Sequence, residues 1–334
     1  MTPQLSILMS VRNEERYLPA TLDSLRRQSL AGWELVVIDD GSDDATPAIL
    51  AAAAAADPRI RLFRRPHTTL VDALNFGLGQ CRTELVARLD GDDVCHPRRL
   101  ELQFAALRNN PELGLVASRV RHFPRPHLSD GMLHYETWQN DLLDHDAIIR
   151  DLFVESPFTN PSVLFRKQPV LEVGAYHETG WPEDYDLWLR LAKAGCRFGR
   201  LPETLLYWRD SPKRLTRTDA ACTLQAFRRC KAHHLRRGYL ADCSEVTLWG
   251  AGAEGKAWRL ALQEFGITVS RWIEIDPRKI GQTIHGAPVV DLDALAPGQG
   301  KLLVTIGAKG ARQQVRDWAD QRSLAEGVDY LCVT

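Results

Sequence analysis

Short apolar runs alternate with amphipathic stretches between residues 5 and 118, and this alternation predicts a series of strands and helices. The first helical pattern has Leu18, Leu22 and Leu25 on one face, and the second is predicted to have Thr46 as its N-cap and Pro47 in its first turn. Strands that are short and apolar throughout are typical of a parallel, doubly wound sheet covered on both faces. The predicted strands are Leu5–Ser10, Glu34–Ile38, Ile60–Phe63, Leu85–Leu89 and Gly114–Ser118.

The alternation of apolar and amphipathic stretches is interrupted between residues 119 and 160, which are predicted to form a loop and short helices over the sheet. It resumes at Val246–Trp249, where a second, smaller Rossmann-like α/β layer is predicted to begin. The fold class is therefore α/β, with a mainly parallel sheet in residues 1–240 and the smaller layer in residues 241–334. The linker is predicted near residues 238–244.

Composition narrows the class of protein. A chain of 334 residues suits two domains, and 44% hydrophobic with 25% charged residues excludes a disordered, collagen-like or disulfide-stapled chain. A net charge of −1 means that any attraction to nucleic acid or membrane must be local. There is no apolar run long enough for a transmembrane span and no signal-peptide pattern. Seven scattered cysteines predict reduced thiols, and we expect a cytoplasmic protein.

Two acidic clusters, Asp39–Asp44 and Arg88–Asp93, directly follow apolar strands. Ligands bind beyond the carboxyl ends of the strands in an open α/β sheet. There the first cluster could accept hydrogen bonds from a nucleobase or ribose, although the same residues also suit a turn and a helix N-cap. In the second cluster, Asp90 and Asp92 would repel each other, which predicts a divalent cation between them, Mg²⁺ or Mn²⁺. The alternative is a solvated turn that is salt-bridged to a neighbouring arginine.

A third acidic cluster, Glu183-Asp184-Tyr185-Asp186, lies at the start of a helix predicted over residues 182–194. Carboxylates in a first helical turn are favoured by the helix dipole, which is the structural interpretation. The surrounding aromatic residues could instead hold one carboxylate partly desolvated, as suits a general base.

Five motifs together resemble glycosyltransferase family 2, which has the GT-A fold, over roughly residues 4–215. In chain order they are Ser10-Val11-Arg12-Asn13-Glu14-Glu15, Val37-Ile38-Asp39-Asp40-Gly41-Ser42, Arg88-Leu89-Asp90-Gly91-Asp92-Asp93, Asn160-Pro161-Ser162-Val163-Leu164-Phe165-Arg166 and Glu183-Asp184-Tyr185-Asp186-Leu187-Trp188-Leu189-Arg190. The resemblance implies a nucleotide-sugar donor, commonly a UDP-sugar, a divalent metal ion, and inversion at the anomeric carbon.

The same resemblance implies roles for individual residues. Asp90 and Asp92 would be ligands of Mn²⁺ or Mg²⁺. Asp184 would be the base that activates the acceptor hydroxyl, with Glu183 as the second catalytic candidate. The residues that would contact the nucleotide-sugar are Arg12, Glu14, Asp39, Asp40, Asn75, Arg88, Asp90, Gly91 and Arg209.

Gly250, Gly252 and Gly255 follow the strand that opens the second layer, and Asp276 lies 21 residues beyond Gly255. This is the spacing of a dinucleotide-binding fingerprint, in which the acid binds a ribose hydroxyl. An NAD-like nucleotide is one interpretation. The other, which we prefer because the domain is short, is that the glycines serve only a tight turn and close helix packing.

The two-domain order also resembles the beta-1,3-N-acetylglucosaminyltransferase-like proteins, the type to which queuosine-tRNA galactosyltransferase belongs. Residues 209–237 carry nine Lys or Arg residues against two acids. This basic segment is predicted to be a solvated helix face or a clamp on the donor diphosphate, or else a landing site for an anionic acceptor such as tRNA. A glycan or small-molecule acceptor is the alternative, and so is a nucleotide-sensing or scaffold protein with an inactive transferase domain.

Overall fold

The computed structural model describes residues 2–211, 214–298 and 300–334, with the backbone alone for Leu215 and Thr216. Contacts divide the chain into two compact units. The first comprises the residues up to Ile148, then Pro157–Thr179 and Glu183–Arg214. The second comprises Ile149–Ser156, Gly180–Pro182 and Leu215–Thr334. The domain boundary at residue 240 stays a prediction.

An eight-stranded sheet forms the first unit. Its strands are β1 (Leu5–Val11), β2 (Trp33–Asp40), β3 (Ile60–Arg65), β4 (Leu85–Arg88), β5 (Val94–Cys95), β6 (Leu113–Phe123), β7 (Leu164–Arg166) and β8 (Arg197–Arg209). They lie in the order β3-β2-β1-β4-β7-β6-β8-β5. Neighbours from β3 to β4 are parallel, as are β6 and β8, whereas β7 and β5 are antiparallel to their neighbours. The predicted α/β class with a mainly parallel sheet is confirmed.

Helices cover this sheet. They are α1 (Leu18–Arg26), α2 (Thr46–Ala56), α3 (Leu70–Gln80), α4 (Arg99–Asn109), α5 (Asp130–Asp141), α6 (His145–Arg150), α7 (Lys167–Glu172) and α8 (Glu183–Lys193). Leu18, Leu22 and Leu25 of α1 are buried in one cluster with the β1 and β2 side chains, as their spacing predicts. Burying each such side chain stabilises the fold by about 1.5–3 kcal/mol.

Three elements of the first unit, α5, β6 and β8, differ from the sequence prediction. Residues 119–160 contain a twelve-residue helix, α5, and strand β6 extends to Phe123. The long strand β8 was not predicted, because the exposed Pro202 and Glu203 interrupt its apolar pattern. The pairing of β8 with β6 shifts at this point, from Leu201 opposite Ser118 to Thr204 opposite Arg119. A bulge therefore carries the strand past the polar residues.

The predicted N-cap of α2 is wrong by one residue. Thr46 is the first residue of the helix and Ala45 is the N-cap. Asp44 Oδ1 accepts the Thr46 N–H at 2.8 Å and so satisfies the helix start. The Thr46 hydroxyl oxygen instead accepts the N–H of Glu14, also at 2.8 Å. Thr46 thus joins two loops rather than capping its own helix.

The second unit contains a smaller, six-stranded sheet. Its strands are β9 (Glu245–Trp249), β10 (Thr268–Ile273), β11 (Thr283–Ile284), β12 (Ala287–Val290), β13 (Leu302–Val304) and β14 (Tyr330–Cys332), and its helices are α9 (Leu215–Thr218), α10 (Leu224–Arg236), α11 (Ala253–Glu264) and α12 (Ala311–Asp320). The order is β11-β12-β10-β9-β13-β14, and only β11 is antiparallel to its neighbour. Trp258, Trp272 and Leu248 are fully buried in its core.

Within the described part of the chain, every helix is too short or too polar to span a bilayer.

Close packing in the second unit depends on Gly255. A Cβ atom at this position would lie 1.9 Å from the carbonyl oxygen of Gly250, whereas a Cβ at Gly307 would make an ordinary contact of 3.6 Å with Glu254. We expect Gly255→Ala to destabilise the second unit by about 1–3 kcal/mol, because the main chain must move, and Gly307→Ala to change stability by less than about 0.5 kcal/mol. Urea unfolding of the full chain, followed by tryptophan fluorescence, measures both. Coincident unfolding curves for the two variants would contradict this packing argument.

Candidate functional site

The loops after β1 and β2 are joined by reciprocal hydrogen bonds. Asn13 donates its backbone N–H to Ser42 Oγ at 3.0 Å, and its side-chain oxygen accepts the N–H of Asp43 at 3.0 Å. Glu15 donates its N–H to Asp44 Oδ2 at 3.1 Å. Asn13 makes these bonds with a φ of 57°, a left-handed conformation that Asn tolerates better than most residues. The segment that carries Arg12 and Glu14 is therefore fixed against the first acidic cluster.

Asp39, a candidate for binding the nucleoside, lies near the end of β2 and is 1% exposed. Its Oδ1 accepts the N–H of Ser42 at 3.0 Å, and its Oδ2 lies 3.4 Å from Nε of Arg64. The Arg64 side chain is 65% exposed, so this ion pair adds little stability. Together, the contacts with Ser42 and Arg64 fix the orientation of the Asp39 carboxylate.

Asp40, the second candidate, is also buried and uses both of its oxygens. Oδ1 accepts the N–H and the hydroxyl of Thr68 at 3.0 and 3.1 Å, and Oδ2 lies 2.8 Å from Nδ1 of His67. His67 Nε2 in turn lies 2.8 Å from Nη1 of Arg12. Because arginine can only donate, His67 accepts at Nε2 and donates its proton at Nδ1 to Asp40. His67 was missed by the sequence reasoning, and its position shortly after β3 is the signal that could have found it.

Arg88 ends β4 and positions the second acidic cluster. It is 1% exposed, and its guanidinium donates to the carbonyl of Leu8 at 2.7 Å and to Asp90 Oδ1 at 2.8 Å. The next residue of the turn, Gly91, lies so close to β1 that a Cβ atom would be 2.6 Å from Cγ1 of Val11. The turn is therefore held from two sides, by an ion pair with the buried Arg88 guanidinium and by close packing.

Burial and the charge of neighbouring acids raise the pKa of Asp92, Glu14 and Asp93 around this turn. Burial, with the charge of Asp90, raises the pKa of Asp92 to about 6. Burial, with Asp92 and Asp90, raises the pKa of Glu14 to about 8. Asp93 is fully buried, and burial raises its pKa well above the usual range, as does the charge of Asp92. Raised pKa values of this kind mark an excess of negative charge that a divalent cation with oxygen ligands would relieve.

Arg209, at the end of β8, lies beside the same turn. Its N–H donates to Asp93 Oδ1 at 2.8 Å and its Nε donates to the carbonyl of Asp92 at 2.7 Å. The guanidinium carbon lies 4.3 Å from the ring centre of Tyr17 and 4.4 Å from that of Phe123. Sequence reasoning included Arg209 but missed the two aromatic residues, which come from distant parts of the chain. Stacking between two rings fixes this positive charge in place.

Glu183 and Asp184 are half-buried in the first turn of α8. Asp184 Oδ1 accepts the N–H of Tyr185 at 2.6 Å. Burial, with the charge of Asp184, raises the pKa of Glu183 to about 8. Burial, with the charge of Asp90, raises the pKa of Asp184 to about 6, while Arg88 acts in the opposite direction. The fold thus brings the second and third acidic clusters into one electrostatic site.

Asn75 serves as a clamp on the backbone of Tyr176. Its amide donates to the Tyr176 carbonyl at 2.8 Å, and its side-chain oxygen accepts the Tyr176 N–H at 3.0 Å. The predicted contact of Asn75 with a donor stays a prediction. Tyr176, which sequence reasoning missed, is buried, and its hydroxyl has no hydrogen-bond partner among the described residues. Burial raises the pKa of this hydroxyl, as do the charges of Glu183 and Asp184, whereas Arg88 acts in the opposite direction.

Comparison with known proteins decides the family. The model of glycosyl transferase family 2 matches residues 6–174. The amylovoran biosynthesis glycosyltransferase AmsE of Erwinia amylovora is 31% identical over 204 residues, which cover 60% of this chain and 74% of AmsE. The chain belongs to glycosyl transferase family 2. Helix α8 and most of the second unit lie beyond the residues that the family model matches.

Solved glycosyltransferase structures share the fold of this family 2 chain. S. aureus TarS 1-349 in complex with UDP-GlcNAc superposes with a TM-score of 0.57 at 15% identity, covering 78% of this chain and 71% of that one. The mannosyltransferase PcManGT from Pyrobaculum calidifontis, in complex with GDP-Man and Mn²⁺, gives 0.51 at 19% identity, covering 80% and 70%. At these identities the likeness concerns the fold alone, and it confirms the predicted GT-A architecture.

In the second unit, the glycine-rich loop leads from β9 into α11 as the spacing predicts. Gly250 has a φ of 114°, and Gly252 is the N-cap of α11. Asp276 follows β10, and both of its oxygens accept hydrogen bonds from the Arg278 guanidinium, at 3.0 and 2.8 Å. These bonds lower the pKa of Asp276 to about 2. Binding of an NAD-like nucleotide by Gly250, Gly252, Gly255 and Asp276 stays a prediction.

The basic segment is largely paired within the protein. Arg228 donates to both oxygens of Glu254 at 2.8 and 2.9 Å, and Arg229 donates to Glu264 at 2.7 Å. Lys231 is buried and donates to the carbonyl of Val154 at 2.6 Å, and burial lowers its pKa. Lys213 lies outside the described residues. These contacts favour a structural role for the charges in α10 over a landing site for tRNA.

Raised carboxyl pKa values lead to a prediction for the metal-free protein. A carboxyl with a raised pKa contributes stability at low pH and loses that contribution as the pH rises through its folded-state value. For Asp92 this window runs from its ordinary pKa of 3.8 to about 6. In EDTA, Asp92→Asn should therefore raise the Tm by roughly 2–6 °C more at pH 8 than at pH 5, because it removes the repulsion. Differential scanning fluorimetry at the two pH values measures the difference.

The matched control for this measurement is Asp43→Asn, an exposed acid of the first cluster. Its Tm change should be small and equal at both pH values, since its side chain is exposed to solvent, which screens its charge. A gain for Asp92→Asn that does not depend on pH would show that the acids around the turn do not strain the fold.

Proposed function

We propose that this chain is a metal-dependent, inverting glycosyltransferase that transfers a sugar from a UDP-sugar to an acceptor hydroxyl, with Asp184 as the base. One observation carries the proposal: burial, with the charge of Asp90, raises the pKa of Asp184, and Arg88, whose guanidinium lies 2.8 Å from the Asp90 carboxylate, acts on it in the opposite direction. An acidic turn that suits a cation and a carboxyl that suits a base are thus parts of one site. Membership of glycosyl transferase family 2 supports the reaction class.

The residues around the turn fit a divalent cation. Asp90 and Asp92 would hold Mn²⁺ or Mg²⁺, because their uncompensated charge and oxygen ligands suit a hard cation. When bound, such an ion neutralises the charge that develops on the leaving diphosphate. The presence of Mn²⁺ in the PcManGT complex supports this choice by analogy.

Donor binding divides between two sets of fixed residues. Asp39 and the hydrogen-bonded series Arg12–His67–Asp40 lie at the carboxyl end of β2 and in the neighbouring loops, where they would contact the nucleoside. Arg209 is held by its aromatic neighbours beside the acidic turn, where it would offset the charge of the diphosphate. The neighbours bind UDP-GlcNAc in one case and GDP-Man in the other, which supports a nucleotide-sugar. The choice of UDP is part of the proposal.

Proton transfer follows from the two carboxyl groups at the start of α8. With a pKa of about 6, Asp184 is mostly ionised at neutral pH and still basic enough to take the acceptor proton as the new bond forms. Glu183, with a pKa of about 8, stays mostly protonated, so the pair carries one negative charge. A base on the face opposite the leaving group gives a single displacement and inversion.

Metal dependence is the first prediction for turnover. Excess EDTA should abolish the release of UDP from a UDP-sugar, and Mn²⁺ or Mg²⁺ should restore it, because Asp90 and Asp92 repel the diphosphate without a cation. Asp92→Asn should weaken UDP-sugar binding in Mn²⁺, as measured by calorimetry. Full turnover in EDTA contradicts the metal proposal, and tight nucleotide binding without any turnover favours the inactive, nucleotide-sensing alternative.

Removal of the base is the second prediction for turnover. Asp184→Asn should lower kcat by roughly 10²–10⁴-fold at pH 7.5 and leave the Kd for the donor unchanged, because an amide cannot accept the proton. In the unmodified enzyme, kcat should rise with pH through about 6 as Asp184 loses its proton. Glu183→Gln is the matched control and should lower kcat less, since Glu183 is mostly protonated. Near-normal turnover of Asp184→Asn would transfer the role to Glu183 or Asp186.

A further inference from the structure

Two short stretches from the transferase part of the sequence belong to the second unit. They are Ile149–Ser156 and Gly180–Pro182, which the chain inserts between segments of the first unit. The second stretch is followed at once by α8, with Asp184 two residues beyond Pro182. The first stretch is followed by residues 157–162, which end in the Asn160-Pro161-Ser162 motif as a 3₁₀ turn. The second inserted stretch therefore leads directly into an element of the candidate site, and the first leads to one of the five motifs that resemble the family.

The stretch before α8 is held by an aromatic cluster. The Trp181 side chain is 9% exposed, and its ring centre lies 5.0 Å from that of His233 in α10. His233 in turn packs edge-on against Phe265, with ring centres 5.7 Å apart. Arg237 Nη1 donates to His233 Nδ1 at 2.9 Å, so the orientation of the imidazole is fixed from two directions. The Trp181 ring thus rests on a side chain that cannot rotate without breaking other contacts.

The other inserted stretch is held by buried polar contacts. Asp151 is 3% exposed, and its Oδ1 accepts a hydrogen bond from Arg316 Nη2 of α12 at 2.6 Å. Arg316 also donates to Glu326 at 2.7 Å, which completes a charge-paired group. The carbonyl of Val154 accepts the ammonium of Lys231 at 2.6 Å. Both stretches are therefore held by specific, buried contacts with α10 and α12 rather than by loose packing.

We propose that Trp181 and His233 are positioning residues for catalysis: their ring contact holds Gly180–Pro182 and so sets where the first turn of α8 begins. Asp184, the proposed base, lies two residues beyond Pro182, so its position depends on where α8 begins. The inference rests on the proposed role of Asp184. A base displaced by about 1 Å can lose a factor of about 10² in rate, so the contact has a measurable effect on turnover.

The test compares His233→Ala with His233→Phe in the full chain. His233→Ala removes the ring that Trp181 contacts and should lower kcat by roughly 10–100-fold. The Kd for the donor should stay within about twofold, since the proposed donor-binding residues belong to the first unit. Hydrogen exchange of the amides in residues 183–190 should be faster. His233→Phe keeps a ring against Trp181 and should restore most of kcat and of the amide protection. Should His233→Ala not fold, Trp181→Phe applies the same test with a smaller expected loss, about 3–10-fold.

Trp318→Ala is the matched control within the second unit. It removes a ring that meets the Trp249 ring edge-on, with ring centres 5.1 Å apart, and both residues lie outside the two inserted stretches, so it should lower the Tm without changing kcat or the exchange of residues 183–190. The proposal is overturned if His233→Ala keeps normal kcat and exchange, if His233→Phe behaves like His233→Ala, or if Trp318→Ala reduces kcat equally. Hydrogen exchange does not depend on turnover. Failure of the proposed function, with no transfer by the unmodified protein, is therefore distinguishable from failure of the positioning role.

Discussion

Repulsion among half-buried carboxyl groups is the constraint on which the site depends. Asp92, Glu14, Glu183 and Asp184 all have raised pKa values, and Asp90 contributes its charge to each of the four. A fold that only had to be stable would replace such a group with apolar residues. Bound protons relieve part of this repulsion in the protein alone, and in the function that we propose a divalent cation would relieve it further. In the proposed function, the charge that makes this part of the protein unfavourable without a ligand is the charge that would hold a metal ion.

Rigid supports keep these charges from relaxing into solvent. Arg88 is buried and anchored on the carbonyl of Leu8, so Asp90 cannot swing away without leaving a buried guanidinium unpaired. On the other side, Arg209 is fixed between Tyr17 and Phe123 and donates to the Asp92 carbonyl. Hydrogen bonds between the loops after β1 and β2 extend this support to the residues that would meet the nucleoside. The site is thus preorganised, and little reorganisation is needed when charge moves during the reaction.

Strand ends and local motifs could be predicted from the sequence because they depend on neighbouring residues. Asp39 and Asp90 follow apolar runs, and the run fixes the edge of the sheet at which they lie. Features that depend on distant residues could not be predicted. No local sequence pattern indicates that Asp44, and not Thr46, accepts the hydrogen bond at the start of α2. The same holds for His67, which lies between Arg12 and Asp40. It also holds for the ring of Phe123 beside the Arg209 guanidinium. The bulge in β8 could not be predicted for a similar reason. The segment has Pro202 in its middle, and it is a strand because it pairs with β6, which is distant in sequence.

Charge counting along the basic segment illustrates the same limit in the second unit. Counted by sequence, residues 209–237 carry a strong positive charge, but two of its arginines are paired with acids that lie outside the segment, Glu254 and Glu264 in α11. Helix α10 therefore uses Arg228 and Arg229 to bind α11, its buried Lys231 to hold the Val154 carbonyl, and His233 to contact Trp181. Reversing Arg228 and Arg229 would break these internal pairs, so a loss of RNA binding in such variants would not by itself distinguish a landing site from a damaged fold. The composition of α10 is explained by what the helix must hold together.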